Sequence, residues 1–104
     1  MLINKGYDKG DIATFKMING EEVIAEVLSV TDSGWMVKDP YSLAMTQQGL
    51  QVVPSMFSAD NEKEVPIQKA HVLMHGVTKK DAKSVYIQQV TGLVVASAGQ
   101  GIVT

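Results

Sequence analysis

Residues 15–39, FKMINGEEVIAEVLSVTDSGWMVKD, decide the fold. They read as three short strands joined by two tight turns. Asn19-Gly20 marks the first turn, because a two-residue hairpin turn needs positive φ at both central positions, which Asn and Gly tolerate. Asp32-Ser33-Gly34 marks the second. The first strand spans residues 12–18, with Phe15 and Met17 on the core side. The second spans residues 22–31. Val23, Ala25 and Val27 lie on one of its faces, and Ile24, Leu28 and Val30 on the other. A strand apolar on both faces is either buried on both or bends so that its inner face changes. Ala25 is small enough to let a neighbour approach at such a bend. The third strand, residues 35–39, has its ladder interrupted by Pro40.

Working outward, residues 1–10 form a loose lead-in with little periodicity. Downstream, residues 41–45 continue the third strand past a bulge, and Gln47-Gln48-Gly49 turns the chain. Residues 50–53 form a further strand, ended at an edge by Pro54. Residues 59–64 are a charged loop. Residues 65–68 and 71–77 read as two strands, or as one strand kinked at Lys69-Ala70. The period then changes. Thr78 is placed to cap a helix, with Asp81 in its first turn. Ala82, Val85, Tyr86 and Val90 share one helical face, and Gly92 is placed to stop it. Residues 85–90 are also dense in β-branched and aromatic side chains, so strand competes there; helix is favoured. Residues 93–104 form a small, apolar tail.

The 104 residues make one domain with one modest core. A net charge of −2 gives no global pull toward nucleic acid or anionic membrane, so any basic surface is local or created by assembly. The chain has no cysteine, which excludes disulfides and thiolate metal sites and fits a cytoplasmic protein. MLINKGYDKGD lacks the apolar core of a signal peptide. No run approaches the roughly 20 apolar residues that span a bilayer, so no membrane partner is expected. The fold class predicted is mainly β: a small, strongly bent antiparallel sheet or barrel of about five strands, with a helix near the C-terminus.

Residues 15–39 resemble the first motif of the Sm-like proteins: apolar alternation, a turn glycine (Gly20), a bent strand, a turn aspartate (Asp32), then another strand. Trp35-Met36 falls where that family usually has Met-Asn, and Ala25 replaces its second glycine. His71 to Gly76, HVLMHG, resembles the second motif, with Met74-His75-Gly76 in place of Ile-Arg-Gly. In addition, INGEEVIAEV together with YIQQVTG resembles a family of small uncharacterised marine cyanophage proteins. The Sm-like resemblance implies an SH3-type barrel whose edge strands pair between copies into a homo-oligomeric ring. It implies single-stranded nucleic acid as ligand, RNA before DNA, held by Asp32, Trp35, Met36, His75 and Gly76. The cyanophage resemblance, to a family of unknown biochemical function, implies the host cytoplasm, and the two resemblances together imply a role in phage RNA or DNA processing.

The residues themselves support parts of this site. Trp35 has the largest π-face in the chain, and aromatic–base stacking is worth roughly 1–3 kcal/mol; a core or interface tryptophan is the plainer alternative. His75 can reach a phosphate or base edge, or simply end a strand. Lys79, Lys80 and Lys83 form the one basic cluster, set at a helix start where they oppose the dipole unless they face a partner. Repeated around a ring, Lys79 and Lys80 would present a positive face and make binding salt-dependent. Glu21 and Glu22 are adjacent on a strand and point to opposite faces, and Glu62 and Glu64 have no positioned nucleophile. No catalytic role and no cofactor is therefore expected. The rival function is a structural or protein-interaction module of a phage, without nucleic-acid binding.

Overall fold

The structure, a computed structural model, describes residues 6–92. Six antiparallel strands form one sheet: β1 (Ile12–Met17), β2 (Glu22–Thr31), β3 (Gly34–Thr46), β4 (Gly49–Pro54), β5 (Val65–Gln68) and β6 (Val72–Val77). A short 3₁₀ turn, Lys69–His71, joins β5 to β6, and a single helix, α1 (Lys80–Thr91), follows. The strand order is β4-β3-β2-β1-β6, with β5 also paired to β3. The expected mainly β architecture with a C-terminal helix is present, with six strands where about five were expected. Among the described residues the ladder does not close: β4 and β6 end the path. The tail, residues 93–104, lies outside the described residues.

The extra strand has a local cause. β3 is 13 residues long and carries two partners on one edge. β5 pairs residues 34–37 of it, and β4 pairs residues 41–46. Pro54 ends β4, and the polar loop 55–64 separates it from β5.

The first hairpin differs from expectation. Gly20 N–H bonds to Met17 O at 2.8 Å and Met17 N–H to Glu21 O at 2.8 Å, so Ile18, Asn19 and Gly20 form a three-residue loop. Gly20 has positive φ and Asn19 does not. That is the turn-plus-αL-glycine solution, in which one residue absorbs the left-handed step. Asn19 instead uses its side chain, accepting the Glu21 N–H at 2.9 Å.

β2 is buried on both faces over its first half, which explains its two-sided apolar pattern. Val23, Ala25 and Val27 enter a core with Ala13, Phe15, Trp35, Val37 and Ile67. Ile24 points the other way and packs with Ile12 against Ala82 and Tyr86 of α1. The strand also bends. The β2–β3 register shifts twice, once between Ile24 and Glu26 and once between Val27 and Ser29. The first shift inserts a residue in β3 at Asp39, whose φ is 53°; the second inserts one in β2. Opposed bulges increase the twist and restore the register beyond them.

How far the sheet curls follows from one distance. Trp35 on β3 and His75 on β6 stand three strands apart, about 14 Å on a flat sheet. Their ring centroids are 4.8 Å apart. The concave side is thus wrapped around Phe15, which is fully buried. At the other end Gly34 lets β5 in: a Cβ there would stand 2.0 Å from Ile67 O.

The helix begins one residue later than the Thr78 cap predicted. Lys79 is the N-cap and supplies no side-chain bond. Thr78 is buried, and its hydroxyl pairs with that of Thr14 at 2.8 Å, so it ties β1 to the helix entry instead of capping. Gly92 closes the helix as expected, in the left-handed conformation, with its N–H on Gln88 O.

Candidate nucleic-acid interface

Alternation along β1 and β6 places Phe15 and His75 on the concave side, opposite each other in register. The curl brings Trp35 to the same place. Phe15 and Trp35 centroids are 4.9 Å apart, and His75 meets Trp35 edge-on. Tyr7, from the lead-in, completes the cluster. Its ring lies 5.6 Å from that of His75 and 6.4 Å from that of Phe15. The Tyr7 hydroxyl bonds to His75 Nδ1 at 2.6 Å. Burial, with Asp11 adding to it, pushes the Tyr7 pKa above its ordinary value of 10.0. The imidazole tautomer sets the direction: the hydroxyl donates where Nδ1 is bare and accepts where Nδ1 carries the proton.

Trp35 and His75, two residues of the expected site, are thus in contact although 40 positions apart. Trp35 is 6% exposed, its ring packed against Phe15 and His75, so a base cannot stack on it in this arrangement. His75 is exposed.

The convex side holds a half-open groove of about 660 Å³ beside the start of α1. Leu43, Leu50 and Val77 give it apolar walls, and Glu21, Glu22, Asp81 and Lys79 charge its rim. A neighbouring hollow of about 420 Å³ shares Thr14, Glu22 and Val77 with it and is lined further by His75, Gly76 and Lys16. His75 and Gly76 border the smaller hollow and Lys79 the larger groove, with Lys80 exposed beside Lys79. Three carboxylates against Lys79 make the larger groove acidic. Glu22 is 3.7 Å from Lys16 Nζ. Glu21 accepts from the Ser42 hydroxyl, which also pairs with Ser55 at 2.9 Å. Glu21 and Glu22 border the same groove although they are strand neighbours, because the groove wraps the end of the hairpin.

Asp32 and Met36 stand apart from this region. Asp32 is exposed in the β2–β3 turn, at the opposite end of β2 from Glu22, on the order of 30 Å of strand away. Met36 pairs with Ser29 and Pro66, and alternation sends its side chain to the face opposite Trp35. Sequence reasoning missed Tyr7. It sits in a stretch without periodicity, and its only signal is an aromatic ring among polar and glycine neighbours.

Among the described residues, no three of His, Asp and Glu stand together so as to hold a metal ion. Among the same residues, no helix is long and apolar enough to cross a membrane. Compared with protein-family models and with curated proteins, the sequence shows no match.

Proposed function

We propose that this chain is a non-catalytic, Sm-like module whose copies join edge to edge into a ring that binds single-stranded nucleic acid, RNA before DNA. The observation that carries the assembly is the edge of β6, which no strand covers among the described residues. Leu73, Met74 and Val77 are 62%, 66% and 74% exposed on it, and β4 offers a second such edge at the other end of the same sheet. Open, apolar edges are pairing templates, and two unlike edges on one subunit join head to tail, closing into a ring when the rotation between copies divides a full turn. Lys79 and Lys80 follow directly on β6, so each edge contact would bring an exposed lysine pair with it. The cyanophage resemblance puts the activity in phage RNA or DNA processing.

The test is fluorescence anisotropy with labelled oligo-U, oligo-A and matched single-stranded DNA at low and physiological salt. The protein's mass is fixed beforehand by light scattering. Binding by the oligomer is expected to weaken with salt. Lys79→Ala/Lys80→Ala is expected to lower the log–log salt slope by about 0.7 for each phosphate that a lysine no longer neutralises. A folded oligomer that ignores every oligonucleotide at low salt defeats the nucleic-acid half. That outcome favours the second reading, a structural or protein-interaction module of the phage. The acidic rim of the groove and the covered face of Trp35 support that alternative.

A further inference from the structure

Tyr7 is a ring placed against the aromatic cluster by a segment that is not part of the sheet. Its contacts are a tilted approach to His75 and an edge approach to Phe15. Its hydrogen bond to His75 is solvent-exposed, so water competes for both partners. The same bond holds the imidazole against Trp35. His75 therefore contacts both Tyr7 and Trp35, the one tryptophan of the sequence.

The segment that carries Tyr7 has a defined root. Asp11 N–H bonds to Asp8 O at 3.0 Å and Asp8 N–H to Asp11 Oδ2 at 2.9 Å, closing a tight turn. Gly10 N–H donates to Val27 O and Val27 N–H to Asp11 O, both at 2.8 Å. Gly10 itself is at φ +97°, a conformation open to glycine and strained for other residues, at the point where the arm leaves the sheet. Peeling the segment back to Asp11 opens the Gly10 N–H bond and moves Tyr7, while the β1–β2 ladder, which begins at Ile12, stays intact.

We propose that this N-terminal arm, residues 6–11, is a built-in competitor for the aromatic site: a nucleobase displaces Tyr7, takes over its hydrogen bond to His75 Nδ1, and stacks on the ring cluster. The inference rests on the nucleic-acid reading and adds its regulation. The chemistry matches. A bare Nδ1 accepts from the amino group of adenine or the imino N–H of uracil, and a protonated Nδ1 donates to a base ring nitrogen or carbonyl oxygen, so a base replaces the tyrosine hydroxyl in either tautomer. Charge favours the exchange being gated. Asp8 and Asp11 outnumber Lys9 on the arm, and Asp11 already acts on the Tyr7 hydroxyl. A phosphate chain approaches more easily once the arm has moved.

The single tryptophan supplies the readout. Unlabelled hexauridylate and hexaadenylate are titrated against wild type, Tyr7→Phe and Tyr7→Ala, following Trp35 fluorescence. Binding to Tyr7→Ala is expected to be about tenfold tighter than to wild type, because the cost of opening is removed. Tyr7→Phe, which keeps the ring and loses the hydroxyl, falls between. Adding p-cresol, the Tyr7 side chain as a free molecule, is expected to reverse the gain in Tyr7→Ala. In wild type, oligonucleotide binding is expected to speed hydrogen exchange at Gly10, whose amide is bonded in the closed arm; that measurement holds if Tyr7→Ala fails to fold. Equal affinities in all three proteins, no reversal by p-cresol, or protection of Gly10 on binding would each overturn the arm's role while leaving nucleic-acid binding standing. No binding by any of the three overturns both.

Discussion

Asp39 shows how much can hang on one residue. It occupies the extra position of the β3 bulge with φ 53°, a conformation uncommon outside glycine and eased by a short polar side chain. Its N–H bonds to Asn61 O at 2.6 Å and its O accepts the Tyr86 hydroxyl at 2.8 Å. One bulge therefore fastens both the 55–64 loop and the helix to the sheet. Tyr86, in turn, has its pKa pushed far up, chiefly by burial, and remains a donor throughout the useful pH range. The Asp39 carboxyl is raised above its ordinary 3.8, first by burial, against an opposing pull from Lys38 and with further push from Glu62, Glu26 and Asp60. The sign follows from linkage. A carboxyl with a folded pKa above its unfolded value favours folding when protonated, and that contribution is lost as pH rises through the folded pKa. At neutral pH the native carboxylate is a cost. Asn keeps the left-handed backbone and both main-chain bonds without the charge. Asp39→Asn is thus expected to be more stable than wild type at pH 7, by less than about 1 kcal/mol because solvent still screens the group. The difference should close near pH 3, where both side chains are neutral. Urea unfolding at the two pH values checks this, and a less stable variant at pH 7 would refute it.

At the scale of elements, α1 depends on its docking. A helix of 12 residues is marginal alone, and this one starts on an uncapped Lys79. Its support comes from Ala82 and Tyr86 against Ile12 and Ile24, with Ile87 and Val90 beside them. Lys79→Asp supplies the missing cap and reverses an unfavourable charge at the positive end of the dipole. It is expected to stabilise the fold by about 0.5–1 kcal/mol in thermal or urea melts. No change would mean that repulsion from Glu21, Glu22 and Asp81, which line the same groove, offsets the new cap. The elements are largely legible in the sequence, because periodicity reports burial directly. The pattern predicts β2 with its bounds and its two apolar faces; burial on both sides and a bend, posed as alternatives, are both present. The helix wins over the strand at residues 85–90 because its face meets the back of β2, a tertiary fact that β-propensity does not carry. The turns are less legible. The hairpin takes three residues where the sequence suggests two, and Thr78 leaves its cap to bond Thr14. Each time a nearby partner offers a better hydrogen bond than the local motif.

At the scale of the whole molecule, the candidate site depends on curvature. Trp35 and His75 meet because the sheet curls by three strands, and Tyr7 joins them by returning along the end of β2; neither is encoded in local spacing. Proximity in sequence groups Asp32 and Met36 with Trp35, and the turn and the alternation of β3 separate them from it. Among the described residues, β4 and β6 remain the edges of the sheet. Exposed apolar side chains on an unpaired strand are a hazard that proteins blunt with charge, and β6 carries Leu73, Met74 and Val77 instead. If β6 of one copy pairs with β4 of the next, those side chains gain cover, and each subunit uses both edges. Replacing Leu73 and Val77 together by Lys places like charges along that edge without touching the buried core. Leu73→Lys/Val77→Lys is expected to fall to the monomer mass in light scattering at concentrations where wild type is a discrete oligomer, with its far-ultraviolet strand signature unchanged. Under the ring hypothesis the same variant also binds oligonucleotides more weakly, because Lys79 and Lys80 no longer repeat around a common face. A wild type that stays monomeric at micromolar concentrations, or a variant that keeps the wild-type mass, would remove β6 as the joining edge.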